Sequence, residues 1–383
     1  MARTTIAVVG GGIVGSAVAH EIRARDGEAA VTLLDRDELG SGASGRSAGL
    51  HIPAGGTARV REMAAFSESR YARLAKEYPP LPVHQVGMAV VGAEASAAQL
   101  AKWALPGRLT PAEVRDPAEV RDVQGVRGVQ DSRVALDVPA GGLVRVPQGC
   151  GVWNLEGCHY ADVAAVTRIL ARELTAGITV RENVRVDGIE TGRAGGVVLR
   201  LGTGETLTVD RVVLAPGPWL ADPAWAGLLT PLGLRVKKVA ALHIERRPAP
   251  HDPAVFFPDD DAFLLPLAHR GHWLFSYTCR EWDVDPDDLH AGLSARDVEQ
   301  ATAVLRRYVP ESAALPGGGG SAAVSGRVFC DAYSSDGEPL VRALDAAGRI
   351  VFAGAANGSG YRLAPAMAAA AADLLHIPSE STE

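Results

Sequence analysis

The stretch TIAVVGGGIVG at residues 5–15 decides the fold of the N-terminal part of this chain. Its first five residues form a continuous apolar run, which is typical of a strand buried on both faces of a parallel sheet. Gly10, Gly12 and Gly15 follow with the spacing GxGxxG, and good helix formers continue to Arg25. Such glycines permit a tight strand-to-helix turn and the close approach of a pyrophosphate to the helix N-terminus. The spacing therefore predicts the dinucleotide site of a Rossmann-like domain.

An acidic residue follows at the position where such a site binds a ribose. Asp35 comes directly after the next apolar run, residues 30–34. A carboxylate there accepts hydrogen bonds from a ribose diol and repels a 2′-phosphate. The pattern favours FAD or NAD over NADP as the ligand.

A second glycine-rich stretch, GSGASGRSAG, occupies residues 40–49. Its glycines and serines cannot form a core element, but their backbone amides and hydroxyls can surround a phosphate and a flat ring. We therefore predict that four residues of this stretch bind the cofactor: Ser44, Arg46, Ser47 and Gly49.

Composition excludes several classes of protein. The 383 residues are 47% hydrophobic, which excludes a disordered chain, and the net charge of −7 argues against nucleic acid as the main partner. The four cysteines lack CxxC spacing, so we predict no metal site. No apolar run approaches the ~20 residues of a transmembrane helix, and we expect a cytoplasmic protein.

Two further motifs make the pattern specific. DRVVLAPGPW covers residues 210–219, and GAANGSGYRLAP covers residues 354–365. Together with the two N-terminal stretches, they occur in an order that resembles the D-amino-acid oxidase, glycine oxidase and sarcosine oxidase family of FAD-dependent amine oxidoreductases. The resemblance spans nearly the whole chain and implies FAD as the cofactor.

The resemblance also implies further cofactor contacts. In this family the C-terminal glycine loop covers the flavin ring, and the helix after it directs its positive end at the ring. The residues expected to join the cofactor site on this basis are Val184, Gly217, Gly358, Gly360, Tyr361 and Arg362.

Four residues are candidates for substrate chemistry. Arg362 matches a lysine with which sarcosine oxidases hold the substrate carboxylate, and an arginine can do so as a bidentate fork. Arg327 resembles the carboxylate-binding arginine of glycine oxidases, with a longer spacing to the following Asp-Gly turn. Backbone carbonyls near Gly360 are expected to contact the substrate amine. His51 is a candidate for deprotonating that amine, with a structural histidine as the alternative.

The fold class predicted from these observations is α/β. A Rossmann-like FAD-binding domain is assembled from discontinuous segments, and a substrate-binding domain of antiparallel β-sheet plus helices is inserted into it. We assign residues 1–85, 145–220 and 325–383 to the FAD-binding domain. Residues 86–144 and 221–324 are assigned to the substrate-binding domain.

The predicted activity is an FAD-dependent oxidation of the CH–NH bond of a small amino acid or secondary amine. Hydride passes to flavin N5, and the imine product is hydrolysed or cyclises. Sarcosine oxidases carry a lysine near N5 in a strand matching residues 273–278, where this chain has none. The electron acceptor is therefore left open between oxygen and a quinone or other carrier. Cys330 lies one residue out of the spacing for covalent flavin attachment, so we expect non-covalent FAD.

Two alternatives remain open. The first is an FAD-dependent 2-hydroxy-acid dehydrogenase, which would need His51 as the base for the substrate hydroxyl. The second is a flavin-containing subunit of a larger electron-transfer complex.

Overall fold

The computed structural model describes residues 3–112, 143–174, 176–192, 195–290, 292–309 and 325–378. Its helices are α1 (Ile13–Arg25), α2 (Ala43–Arg46), α3 (Ala58–Glu77), α4 (Glu94–Trp103), α5 (Val163–Arg172), α6 (Ala226–Leu229), α7 (Ala295–Tyr308) and α8 (Gly360–Leu374). None of these described helices has both the length and the apolar character that a membrane span requires.

A six-stranded sheet forms the centre of the nucleotide-binding part, in the order β19-β20-β13-β1-β2-β9. Neighbouring strands are parallel except for β19 and β20. The sheet is buried on both faces, which explains the continuous apolar runs. Helices α1, α3, α5 and α8 pack on one face, and a three-stranded sheet, β10-β11-β12, packs on the other. The strands are β1 (Thr5–Val9), β2 (Ala30–Leu34), β9 (Ile178–Arg181), β10 (Val186–Thr191), β11 (Val197–Leu201), β12 (Thr206–Val209), β13 (Arg211–Leu214), β19 (Leu340–Ala343) and β20 (Ile350–Gly354).

An eight-stranded sheet forms the second part, in the order β18-β14-β17-β16-β15-β5-β7-β6. Its pairs are antiparallel except for β5 with β15. Helix α7 covers one face through a core that includes Leu305 and Phe275. Residues of the other face line a cavity together with Gly12 and Ser44 of the nucleotide-binding part. The strands are β5 (Met88–Ala93), β6 (Leu109–Pro111), β7 (Cys150–Leu155), β14 (Arg235–Ile244), β15 (Ala254–Phe257), β16 (Ala262–Leu267), β17 (His272–Tyr277) and β18 (Gly326–Tyr333).

A small antiparallel sheet in the order β3-β8-β4 lies beside these two parts. Its strands are β3 (Leu50–His51), β4 (Val83–Gln85) and β8 (His159–Ala161). Strand β3 directly follows the second glycine-rich stretch and precedes α3. Its pairing with β8 holds the C-terminal end of that stretch in place.

The predicted fold class is confirmed: a Rossmann-like part is built from separated segments, and a largely antiparallel sheet is inserted between them. Strands β7 and β18 differ from the predicted boundaries. Both fall in segments assigned to the FAD-binding domain, yet both pair within the eight-stranded sheet. The sheet to which a strand belongs is decided by the strand with which its backbone forms hydrogen bonds. Strand β18 pairs with β14 over eight residues, so it belongs to the eight-stranded sheet. Residues 113–142 and 310–324 of the predicted substrate-binding domain lie outside the described residues.

Candidate active site and cofactor cleft

The turn from β1 into α1 is so tight that two of its positions have room only for glycine. Gly10 has φ of +104°, and a Cβ there would lie 2.2 Å from the carbonyl oxygen of Ala215. A Cβ on Gly15 would lie 1.9 Å from the carbonyl oxygen of Gly10. Gly12 is the N-cap residue of α1 and has no side chain that could fold back on the helix amides. The positive end of α1 therefore faces the cleft, as phosphate binding requires.

Asp35 holds this turn from the end of β2. Its Oδ2 accepts a hydrogen bond from the Gly11 amide at 2.6 Å, and its Oδ1 accepts one from the Asp37 amide at 2.8 Å. Burial raises the pKa of Asp35, and the two amides act in the opposite direction. Asp35 lines a cavity of about 100 Å³ together with Gly10 and Val184. The predicted contact between Asp35 and a ribose stays a prediction, and this position is compatible with it.

The second glycine-rich stretch is fixed by its own contacts. Ser44 lies on α2, and its Oγ accepts a hydrogen bond from the Ile13 amide at 2.9 Å. Arg46 donates from Nη1 to the Ser41 carbonyl at 2.7 Å. The Gly49 amide donates to Ser47 Oγ at 3.1 Å. These bonds place the stretch against the α1 N-terminus and along the wall of a larger cavity.

This larger cavity, of about 430 Å³, lies between the second glycine-rich stretch, the N-terminus of α8 and the open face of the eight-stranded sheet. Gly12, Ser44 and Gly217 line both this cavity and the smaller one, so the two form one cleft. Gly15 lies beneath the turn. The predicted site residues that line the larger cavity are Gly12, Ser44, Arg46, Ser47, Gly49, Gly217, Gly358, Gly360, Tyr361 and Arg362.

Arg362 contributes a cation to the cavity wall. It lies on the first turn of α8, whose N-cap residue Ser359 makes no capping hydrogen bond with its side chain. Arg362 donates from Nη1 to the Ala54 carbonyl and from Nη2 to Ser359 Oγ at 3.0 Å. Burial lowers the pKa of Arg362 to about 10. No carboxylate of the described residues forms an ion pair with it, so its guanidinium has only neutral acceptors.

Arg327 does not line the cavity. Its Nη1 donates to the Ser47 carbonyl at 3.0 Å, and its Nε donates to His243 Nε2 at 3.2 Å. Its Nη2 is buried and has no hydrogen-bond partner among the described residues. Burial, with a smaller effect of Arg270, lowers the pKa of Arg327 to about 10. The contact with Ser47 braces the glycine-rich stretch; the predicted carboxylate contact has no geometric support here.

His51 is placed behind the cavity wall. Its neighbours Leu50 and Ile52 line the cavity, but the His51 ring is fully buried and stacks on His159, with centroids 4.5 Å apart. Neither ring nitrogen has a hydrogen-bond partner among the described residues. Burial lowers the pKa of His51 to about 2, so the imidazole is neutral. This placement does not support the predicted role as a base, and it favours the structural alternative.

Cys330 is buried on β18 and is absent from the described lining of the larger cavity. Burial raises the pKa of its thiol to about 12. Cys330 lines an adjoining cavity that shares Arg46 and Phe329 with the larger one. The expectation of non-covalent flavin stays a prediction.

Four charged residues that line the larger cavity are absent from the predicted site: Lys237, Lys238, Asp261 and Asp331. Lys237 and Asp331 are paired across β14 and β18. The Lys237 ammonium lies over the rings of Trp282 and Tyr333, at 5.2 and 5.4 Å from their centroids. Burial raises the pKa of Asp331 to about 7. The available signal was the alternation of β18, which puts residues of odd number on one face.

Comparison with known proteins identifies the class to which this site belongs. The family described as FAD dependent oxidoreductase, DAO, matches residues 5–374. The chain belongs to this family, so the predicted resemblance and FAD as the cofactor are confirmed.

Individual relatives are similar over different lengths. The chain is 31% identical to 4-methylaminobutanoate oxidase (formaldehyde-forming) of Paenarthrobacter nicotinovorans over 250 residues, which are 65% of this chain and 28% of that protein. Glycine oxidase from Geobacillus kaustophilus has a TM-score of 0.74 at 21% identity, covering 100% of this chain and 96% of the other. FAD-bound L-alpha-glycerophosphate oxidase from Mycoplasma pneumoniae has a TM-score of 0.72 at 15% identity, covering 98% and 95%. These structural likenesses show the shared fold.

Proposed function

We propose that this protein oxidises the CH–NH bond of an amino acid or related secondary amine with FAD. The observation that carries the proposal is the Arg362 guanidinium, half-buried in the cavity wall with no carboxylate partner among the described residues. A buried charge without a counter-ion is costly. The carboxylate of an amino acid would supply that counter-ion through a bidentate contact.

The cleft suits FAD on the geometry of its backbone. Gly10 and Gly15 leave no space for a side chain, and the N-termini of α1 and α8 both face the cleft. Asp35 would hold the ribose, Gly12 and Ser44 the pyrophosphate, and the segment 358–362 the flavin ring. FAD supplies the two-electron acceptor for the substrate C–H bond. The first turn of α8 carries no acidic residue, so its positive end would stabilise negative charge on the ring.

The 2-hydroxy-acid alternative is less well supported. The base predicted for the substrate hydroxyl is His51, and burial lowers the pKa of His51 to about 2 and places the ring outside the cavity wall, so this residue is not suited to that role. No histidine occurs among the described residues that line the larger cavity. An amine needs no such base at the reacting carbon, because its neutral nitrogen lone pair activates the C–H bond.

The partners follow from the same proposal. The substrate is a small amine in the cytoplasm, and the electron acceptor is oxygen or a quinone or other carrier. Strand β17 brings no lysine to the cavity, whereas Lys237 reaches it from β14. Whether oxygen or another carrier reoxidises the flavin is therefore a question for measurement.

The test is anaerobic bleaching of the flavin absorption in the holoenzyme. The panel contains D-, L- and N-methyl amino acids, each paired with the 2-hydroxy acid of the same side chain. We expect bleaching by at least one amine and by none of the hydroxy acids. Bleaching by hydroxy acids alone would overturn the proposal. Admitting oxygen afterwards then distinguishes an oxidase, which recolours rapidly, from a dehydrogenase.

A further inference from the structure

Asp331 is a carboxyl group in the wall of the larger cavity, and the only group among the described residues that favours its charged form is the backbone amide of Ala332, whose effect is smaller than that of burial. The other charged or titratable groups that line this cavity are Arg46, Lys237, Lys238, Asp261, Tyr277, Cys279, Tyr333, Tyr361 and Arg362. Lys238 forms ion pairs with Glu281 and Asp297. Arg46 and Arg362 donate to backbone carbonyls, and Asp261 accepts a hydrogen bond from the Thr278 hydroxyl. Asp331 forms no ion pair with any residue that the structure describes.

The strand itself directs Asp331 into the cavity. Val328, Cys330 and Ala332 of β18 are buried on one face. Phe329, Asp331 and Tyr333 lie on the other face and line the cavity. Lys237 is the cross-strand neighbour of Asp331, yet its ammonium lies over two aromatic rings. The geometry therefore leaves a carboxyl group aimed into the cavity that the flavin ring and the substrate would share.

We propose that Asp331 binds the ammonium group of the substrate and accepts one of its protons. This inference rests on the proposed function and specifies which wall of the cavity recognises the amine. It also specifies the form that the cavity selects, which is a cationic amine.

The proton transfer balances within the established class of reaction. The N–H bond of the ammonium breaks, an O–H bond forms on Asp331, and the electron pair stays on nitrogen. The neutral amine would then lose the hydrogen of its C–H bond as hydride, for which bound FAD would supply the two-electron acceptor, and the product at this stage would be an iminium cation, which hydrolysis or loss of its proton to solvent consumes. The proton on Asp331 passes to solvent. A carboxyl group whose pKa burial raises to about 7 is matched to this exchange near neutral pH.

The experiment measures ligand binding to the holoenzyme, independently of turnover. Dimethylammonium chloride and sodium acetate are titrated separately, and binding is followed by the change in the visible flavin spectrum. Wild type is compared with Asp331→Asn, which removes the charge at constant shape. Asp261→Asn is the matched control, because it makes the same change of side chain at another position of the same cavity. The backbone at Asp261 has φ of +46°, a conformation that asparagine also adopts, so this variant should fold. FAD content and Tm are recorded for each variant.

We expect dimethylammonium to bind wild type more tightly as pH rises through about 7, because Asp331 ionises there. Asp331→Asn should weaken this binding by about 10- to 100-fold, remove its pH dependence and strengthen acetate binding. Asp261→Asn should behave as wild type. Unchanged dimethylammonium affinity in a folded, FAD-loaded Asp331→Asn variant would overturn the inference.

Loss of FAD from the variant and failure of the proposed function can each be distinguished from failure of the inference about Asp331. If Asp331→Asn loses FAD, Asp331→Glu decides: a retained pH dependence supports the inference, and a pH-independent affinity refutes it. If no amine bleaches the flavin, the proposed function fails, while the dimethylammonium titration still reports on Asp331.

Discussion

Replacing Arg362 with methionine separates the bracing role that its hydrogen bonds show from the substrate-binding role that we propose for it. Arg362 joins the segment after β3, through the carbonyls of Ile52 and Ala54, to the N-cap of α8, through Ser359. Hydrogen bonds to a charged group contribute about 1.5–3 kcal/mol each, and two such bonds at a half-buried site contribute about 2–4 kcal/mol together. For a chain of this length, Tm should fall by about 3–5 °C.

The same substitution removes the proposed anchor for the substrate carboxylate. We expect kcat/KM to fall by about 30- to 1000-fold, which corresponds to about 2–4 kcal/mol. The sharper readout is a pair of substrates, an amino acid and its decarboxylated amine. The loss should be large for the amino acid and small for the amine, which has no carboxylate to hold.

Arg59→Met is the matched control, because Arg59 forms a surface ion pair with Glu338. Such a pair contributes at most about 1 kcal/mol, so Tm and kcat/KM should hardly change. If Arg362→Met keeps kcat/KM for the amino acid within about threefold of wild type, the carboxylate anchor is wrong. If Tm is also unchanged, the bracing argument fails as well.

Two other predictions concern the cofactor and pH. Asp35→Ala should weaken FAD binding by about 1.5–3 kcal/mol in a titration of apoprotein, and it should lower the Tm of the apoprotein because the Gly11 and Asp37 amides lose their acceptor. Unchanged FAD affinity in a folded variant would contradict the ribose assignment. Burial lowers the pKa of His159 to about 4, from an ordinary value of about 6.5, so between these values the unfolded chain binds a proton that the folded chain does not. This contribution to the free energy of unfolding is complete above pH ~6.5 and is lost by up to about 1.4 kcal/mol per pH unit as pH falls toward 4. The urea unfolding midpoint of His159→Phe should therefore depend less steeply on pH than that of wild type. An equally steep dependence would refute the argument.

The parts of the fold that the sequence predicts are those set by neighbours along the chain. The GxGxxG turn requires glycine at Gly10 and Gly15 because a Cβ would meet backbone within 2.2 Å, and this demand is visible in the sequence itself. The membership of a strand in one sheet or another is different. Strands β7 and β18 pair with partners far away in sequence, and neither strand carries a local mark of that choice.

The residues of the cavity also divide into those set by neighbours along the chain and those set by long-range strand pairing. Arg362 was predictable because its motif is contiguous with the α8 N-terminus. Arg327 and Asp331 lie on the same face of one strand, and the alternation of β18 predicts that they share it. Which end of that face meets the cavity depends on the register with β14, where Ala241 opposes Arg327 and Lys237 opposes Asp331. The choice between an arginine and an acid as a substrate contact therefore rests on long-range pairing.

The charges left unsatisfied in the cavity restrict the substrates that would bind well. Arg362 needs an anion, and Asp331 needs a cation, since neither has an ion-pair partner among the described residues. A ligand with one charge would pair with one of them and leave the other half-buried in its charged form without a counter-ion, which is the less favourable arrangement. An amino acid carries both charges, so it is the class of ligand that offers a counter-ion to each of these residues. The carboxylate would then hold the substrate in place, while transfer of the ammonium proton to Asp331 would produce the neutral amine that the oxidation requires.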